Sequence, residues 1–189
     1  MGEQAPRAGL ESTAAAIDQH SQSNLHLLRV RSLALDLTVD FSSRSLRGTA
    51  ELAFERSPRA GADTPLVLDT RGLQIDGIES EGQPARFTLG PNDPVLGSAL
   101  TIQVPATATT VLIHYQTTKD ASALQWLKPE QTAGKTHPFL FTQSQAIHAR
   151  SWIPLQDSPG ARITYTATVR APKGLRAVMS ADRVAEEAD

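Results

Sequence analysis

From Leu33 onward apolar and polar residues alternate with a period of two. Leu33, Leu35, Leu37, Val39 and Phe41 are separated by Ala34, Asp36, Thr38 and Asp40. A period of two marks a strand with one face buried. Ser42, Ser43 and Arg44 interrupt it, and Leu46, Gly48, Ala50, Leu52 and Phe54 resume it. Two half-buried strands around a short polar turn predict a β-hairpin. Shorter strands are predicted at Pro65 to Asp69, Leu73 to Glu79, Ala85 to Leu89, Leu100 to Val104, Thr110 to Gln116, Arg162 to Arg170 and Leu175 to Ser180. The Gly90 to Pro94 segment, punctuated by Gly and Pro, predicts a loop. No stretch has the length and periodicity of an average amphipathic helix. Short helical turns are expected near Ala14 to Ile17, Ala123 to Trp126 and Pro129 to Ala133. The predicted fold class is therefore all-β: a saddle-shaped or sandwich-like multi-sheet domain of about nine or more short strands with little helix. Residues 1–24 lack hydrophobic periodicity and are expected to be a mobile N-terminal tail, leaving 25–189 as the β domain.

Composition narrows the function classes. Eighteen Lys and Arg against 20 Asp and Glu leave a net charge of −2, unlike the strongly basic face of a nucleic-acid binder. No cysteine is present, which excludes disulfide frameworks, thiolate zinc sites and cysteine nucleophiles. His20, His26, His114, His137 and His148 include no HxxxH pair, so the zinc motif of a metallopeptidase helix is missing and no metal ligand is assigned. His114 lies in an apolar strand and reads as structural. No apolar run approaches the roughly 20 residues that span a bilayer, so no membrane partner is expected. The N-terminus has neither the basic start nor the apolar stretch of a leader. A cytoplasmic location is expected, or a periplasmic one if a leader was removed. Only nine residues are aromatic, which disfavours a carbohydrate-binding sandwich. Trp126 and Trp152 read as packing residues.

Residues 121–160 carry more than patterning. Phe139 to Ile147 alternates loosely, and in an extended strand Gln143, Gln145 and Ile147 fall on one side. Two amides two residues apart offer donors and acceptors on one face. Opening onto a cleft, they are suited to a polar ligand or an extended peptide backbone.

This segment, ALQWLKPEQTAGKTHPFLFTQSQAIHARSWIPLQDSP, resembles the N-terminal domain of the leukotriene A(4) hydrolase branch of the zinc aminopeptidases, the family that includes aminopeptidase N. The similarity takes in the Val39 to Ala53 hairpin, LVLDTRGLQI, Phe87 to Gly90 and ITYTATVRAPKGLRAVMSA, roughly residues 30–183 in all. QAIHAR and QDSP are its most specific elements. The resemblance implies a saddle of β-sheets packed in cis against a thermolysin-like catalytic domain bearing GxMEN and HExxH, motifs absent from this chain. It implies that Gln145 contributes to the substrate cleft, helping to recognise the free α-amino end of a peptide substrate, with Gln143 as a second cleft glutamine. Arg150 and Asp157 match charged positions expected to hydrogen-bond locally and hold the loop that carries the glutamines. Leu155 departs from the family's usual Cys, which points to a repacked loop.

The functional expectation is then the N-terminal substrate-cleft domain of a zinc-dependent aminopeptidase. Zinc is implied for the catalytic domain and no cofactor for this chain, which is expected to be inactive alone. The alternative is a non-catalytic β-sheet interaction module related to these peptidases. In either case an apolar face without its partner domain is expected to drive self-association.

Overall fold

The computed structural model describes residues 18–186. β1 (Leu28–Asp40) and β2 (Ser45–Arg56) form the predicted hairpin, paired from Leu28 opposite Arg56 to Asp40 opposite Ser45 with a register shift between Val30 and Ser32. The alternation places Leu33, Leu35, Leu37, Leu46, Ala50, Leu52 and Phe54 inside. Gly48 is required where the strands approach: a Cβ there would lie 1.8 Å from the Asp36 carbonyl oxygen. β3 is Leu66–Thr70, β4 is Gln74–Ser80, β5 is Gln83–Pro84, β6 is Phe87–Leu89, β7 is Ser98–Ile102 and β8 is Thr110–Gln116. β9 (Leu124–Leu127), β10 (Phe139–Thr142) and β11 (Thr164–Arg170) follow.

The strands build three sheets. The largest has the order β11-β1-β2-β8-β4-β5, antiparallel except where β11 runs parallel to β1. A second has the order β3-β7-β6, and β9 pairs with β10 in a third. One core joins the first two: Leu35, Leu37, Leu52, Val111 and Ile113 from the large sheet meet Leu66, Leu68, Leu100 and Ile102 from the second. At about 1.5–3 kcal/mol for each fully buried large apolar side chain, this core is the main force holding the sheets together.

Four expectations need correction. The helical turn expected at Ala123 to Trp126 is instead β9, because Phe139–Thr142 supplies a hydrogen-bonding partner. The strand expected at Leu175 to Ser180 has alternating exposure but no ladder among the described residues. The Ala85 to Leu89 strand shrinks to Phe87–Leu89, and a 3-10 turn forms at Pro129–Gln131 rather than through Ala133. The expected turn at Ala14 to Ile17 lies outside the described residues. No helix among the described residues is long and apolar enough to cross a membrane.

The chain is anchored earlier than its hydrophobic pattern indicates. Ser21, Gln22 and Asn24 bind the second sheet: the Asn24 amide bridges the Pro65 carbonyl and the Val67 N–H at 2.8 and 3.0 Å. These bonds are polar, so hydrophobic periodicity carries no trace of them.

Candidate functional site

The glutamines sit where β10 ends. The Gln143 N–H still donates to the Ala123 carbonyl, at 2.9 Å, and then the chain turns. The strand stops at Thr142, so Gln143 and Gln145 do not share a strand face as the alternation implied. They share a turn instead: the Gln145 N–H donates to Gln143 Oε1 at 3.0 Å, and the Gln145–Ala146 peptide is cis. Local bonding of a side chain to nearby backbone competes with a ladder, and here it wins because no further partner strand is at hand. Both glutamines are exposed. The Gln145 amide makes no hydrogen bond among the described residues, and Gln143 keeps its Nε2 donors uncommitted.

The other side of the turn is tied down. Trp152 Nε1 donates to Ser144 Oγ at 3.1 Å, the His148 N–H donates to the Ser144 carbonyl at 2.9 Å, and His148 Nδ1 lies 2.7 Å from Ser122 Oγ. Trp152 is buried in the core, while Trp126 packs edge-on against Phe41 with ring centroids 5.2 Å apart. On β10 just before the glutamines, Phe139 and Phe141 point outward, 51% and 45% exposed.

A few residues further along the chain lies a fully buried guanidinium. Arg150 is 0% exposed. Its Nε donates to Asp157 Oδ2 at 3.0 Å, Nη1 to the Leu96 carbonyl at 2.9 Å, and Nη2 to the His20 and Asp157 carbonyls at 2.7 and 3.0 Å. A buried charge needs both a counter-charge and filled donors. Asp157 supplies the near carboxylate, and Asp69, also 0% exposed, lies 3.7 Å from Nη1. Asp69 in turn accepts from Ser21 Oγ (2.6 Å), the Gln22 N–H (2.7 Å) and the Asp157 N–H (2.9 Å). Burial pushes the Asp69 carboxyl up from its ordinary value, against the pull of these bonds and of Arg150. Backbone bonds from Asp69 to Leu155, and from Arg71 to the Arg150 carbonyl, fasten the loop to β3. Gly97 closes the nest with φ +77; a Cβ there would lie 2.1 Å from the Thr70 carbonyl oxygen.

Asp69 escaped the sequence analysis. Its signal is a lone carboxylate at the end of the apolar run LVLDT, where it breaks the pattern of a buried strand. Ser21 and Gln22 have no comparable signal. His114 stands apart on an exposed face, 3.5 Å from Glu79. Among the described residues no three His, Asp or Glu side chains are grouped to hold a metal ion.

Comparison with known proteins agrees with this architecture. The sequence model of the peptidase M1 N-terminal domain matches residues 22–189. A leukotriene A-4 hydrolase of Xenopus laevis is 40% identical over 174 residues, covering 89% of this chain and 28% of that protein. A leucine aminopeptidase 2 of Yarrowia lipolytica is 40% identical over 153 residues, 78% of this chain and 23% of that protein. The solved structure of yeast LTA4 hydrolase in complex with bestatin superposes with a TM-score of 0.79 at 32% identity, over 86% of this chain and 26% of that one. An M1 zinc metallopeptidase from Deinococcus radiodurans, at 20% identity and TM-score 0.59 over 77% of this chain and 33% of that one, shares the fold. The chain thus spans about a quarter of the length of the curated relatives it matches.

Proposed function

The chain belongs to the peptidase M1 N-terminal domain family, and from that premise we propose that it forms one wall of the substrate cleft of a zinc-dependent, leukotriene A(4) hydrolase-like aminopeptidase. The observation that carries this is the pairing of two exposed glutamines in one turn, followed in the chain by a buried ion network that fastens the next loop to β3. The uncommitted Gln145 carbonyl oxygen accepts from the α-ammonium of a peptide. The Gln143 Nε2 donates to a peptide carbonyl, its own oxygen being held by the Gln145 N–H. Arg150 and Asp157 hold the turn and touch no substrate.

Zinc in such enzymes polarises a carbonyl and activates water. This chain's residues do not fit it: the described His, Asp and Glu side chains do not gather into a ligand set. The wall binds and orients, and positioning raises a rate only where it supplements chemistry. The 189 residues alone are therefore proposed to be inactive, with the catalytic groups contributed in cis by a further domain.

The test is steady-state kinetics of the complete enzyme encoded by the gene, with aminoacyl-anilide substrates. Gln145→Ala removes a charge-assisted hydrogen bond worth about 1.5–3 kcal/mol, so kcat/KM is expected to fall about 10- to 150-fold, chiefly through KM. Unchanged kinetics in both the Gln143→Ala and Gln145→Ala variants would remove the glutamines from the cleft. The exposed Phe139 and Phe141 favour a second reading, a non-catalytic interaction module. Coding sequence beyond Asp189 separates the two: GxMEN and HExxH there support the peptidase.

A further inference from the structure

We propose that His148 is a positioning residue for the cleft: its imidazole, hydrogen-bonded to Ser122, fixes the turn that presents the Gln145 amide to the α-ammonium of a peptide. This role rests on the reading of the two glutamines as cleft groups and names the side chain that sets their geometry. β10 ends at Thr142, so no ladder defines the backbone that follows. Residues 143–148 hold their shape by other bonds, and His148 makes more of them than any other residue of the turn.

The turn is moored at both ends to consecutive residues. At its entry the Gln143 N–H donates to the Ala123 carbonyl at 2.9 Å. At its exit His148 Nδ1 lies 2.7 Å from Ser122 Oγ. The mooring point is itself braced. The Ala123 N–H donates to Ser151 Oγ at 3.0 Å, and the Ser151 hydroxyl donates to the His148 carbonyl at 2.8 Å. Ala121, Ala123, Leu124 and Ser151 are all buried, so the point to which the turn is tied is part of the packed structure. Across the turn the His148 N–H donates to the Ser144 carbonyl at 2.9 Å.

Only one of the two moorings is written in a side chain. The entry bond joins two backbone groups and asks little of the residue at 143. The exit bond needs a ring nitrogen at 148 and a hydroxyl at 122. A neutral ring with a bare Nδ1 accepts from that hydroxyl, and a charged ring donates to it. Gln145 stands three residues before His148, so slack at the exit reaches its amide directly. A binding group that must be ordered when the ligand arrives loses affinity, and a misplaced one loses more. A further tie, Trp152 Nε1 to Ser144 Oγ at 3.1 Å, holds the middle of the turn and keeps the expected loss moderate.

Kinetics of the complete enzyme encoded by the gene, on aminoacyl-anilides, test this role. His148→Leu removes the ring nitrogen, and Ser122→Ala removes the hydroxyl at an exposed position where folding is not at stake. Each is expected to raise KM about 3- to 10-fold, the range of one neutral hydrogen bond, with kcat changed by less than about 2-fold. The two together should do no more than either alone, since they break one bond. His148→Asn, whose amide reaches the place of Nδ1, is expected to recover most of the loss. In a Gln143→Ala/Gln145→Ala background Ser122→Ala should leave KM where it is, because no amide remains to be positioned. If Gln145→Ala raises KM while Ser122→Ala and His148→Leu do not, the positioning role falls and the cleft reading stands. The role falls equally if Ser122→Ala raises KM as much without the glutamines as with them. Unchanged kinetics in both single glutamine variants would overturn the cleft reading itself, and this role with it.

Discussion

At the scale of single residues, the two largest buried polar side chains lead to opposite expectations. Arg150 makes four side-chain hydrogen bonds and has two carboxylates in the same closed space. Arg150→Met would leave Asp69 and Asp157 facing each other without a cation, and breaking such a buried network costs about 3–5 kcal/mol. Urea denaturation is expected to show that loss, and limited proteolysis to show faster cutting in the Arg150 to Asp157 loop that this network fastens to β3. Tyr115 is equally buried, but its hydroxyl has no hydrogen-bond partner among the described residues, and burial pushes its pKa up. An unpaired buried hydroxyl costs rather than stabilises. Tyr115→Phe is therefore expected to leave the urea midpoint unchanged or raise stability by up to about 1 kcal/mol; a marked loss would mean that the phenol is bonded. Hydrophobic patterning registers both side chains only as strand or loop positions, since it takes no account of where their polar atoms end.

At the scale of elements, the β1–β2 hairpin was legible because its alternation is strict and one face is apolar. Its turn illustrates a pH effect. The Asp40 carboxylate accepts from the N–H and hydroxyl groups of both Ser42 and Ser43, which hold its pKa well below the ordinary value of 3.8. A carboxylate lowered in the folded state stabilises above the unfolded value and loses that contribution as pH falls through 3.8 toward the folded value. Asp40→Asn is thus expected to lower the urea midpoint at neutral pH, and the gap to the parent chain should narrow at about pH 3. A gap that widens on acidification would contradict the turn geometry. Elements with weaker alternation depart further from their pattern. Phe139 to Ile147 alternates loosely as one strand would, but pairing with β9 supports only Phe139–Thr142, after which local side-chain bonding takes over. Leu175 to Ser180 alternates as a strand should and lacks a neighbour to bond. Periodicity reports which face is apolar; whether a partner edge lies alongside depends on the rest of the fold.

At the scale of the whole molecule, the binding wall and the metal chemistry are expected to separate cleanly. Adding zinc to the purified chain should neither shift its melting temperature nor produce hydrolysis of an aminoacyl-anilide, since its described donors form no ligand group. Metal-dependent turnover by the chain would refute this. The all-β class, the hairpin, the family and the glutamine segment were all present in the order of residues, because alternation and short motifs are local properties of the chain. Tertiary structure alone decided the rest. It brought Asp69 to Arg150 across 81 positions of sequence, drew Ser21 and Gln22 onto that carboxylate, and bent the two amides into one turn instead of one strand face. Those outcomes depend on satisfying a desolvated charge and on which edges find partners, and both are settled only when distant segments meet.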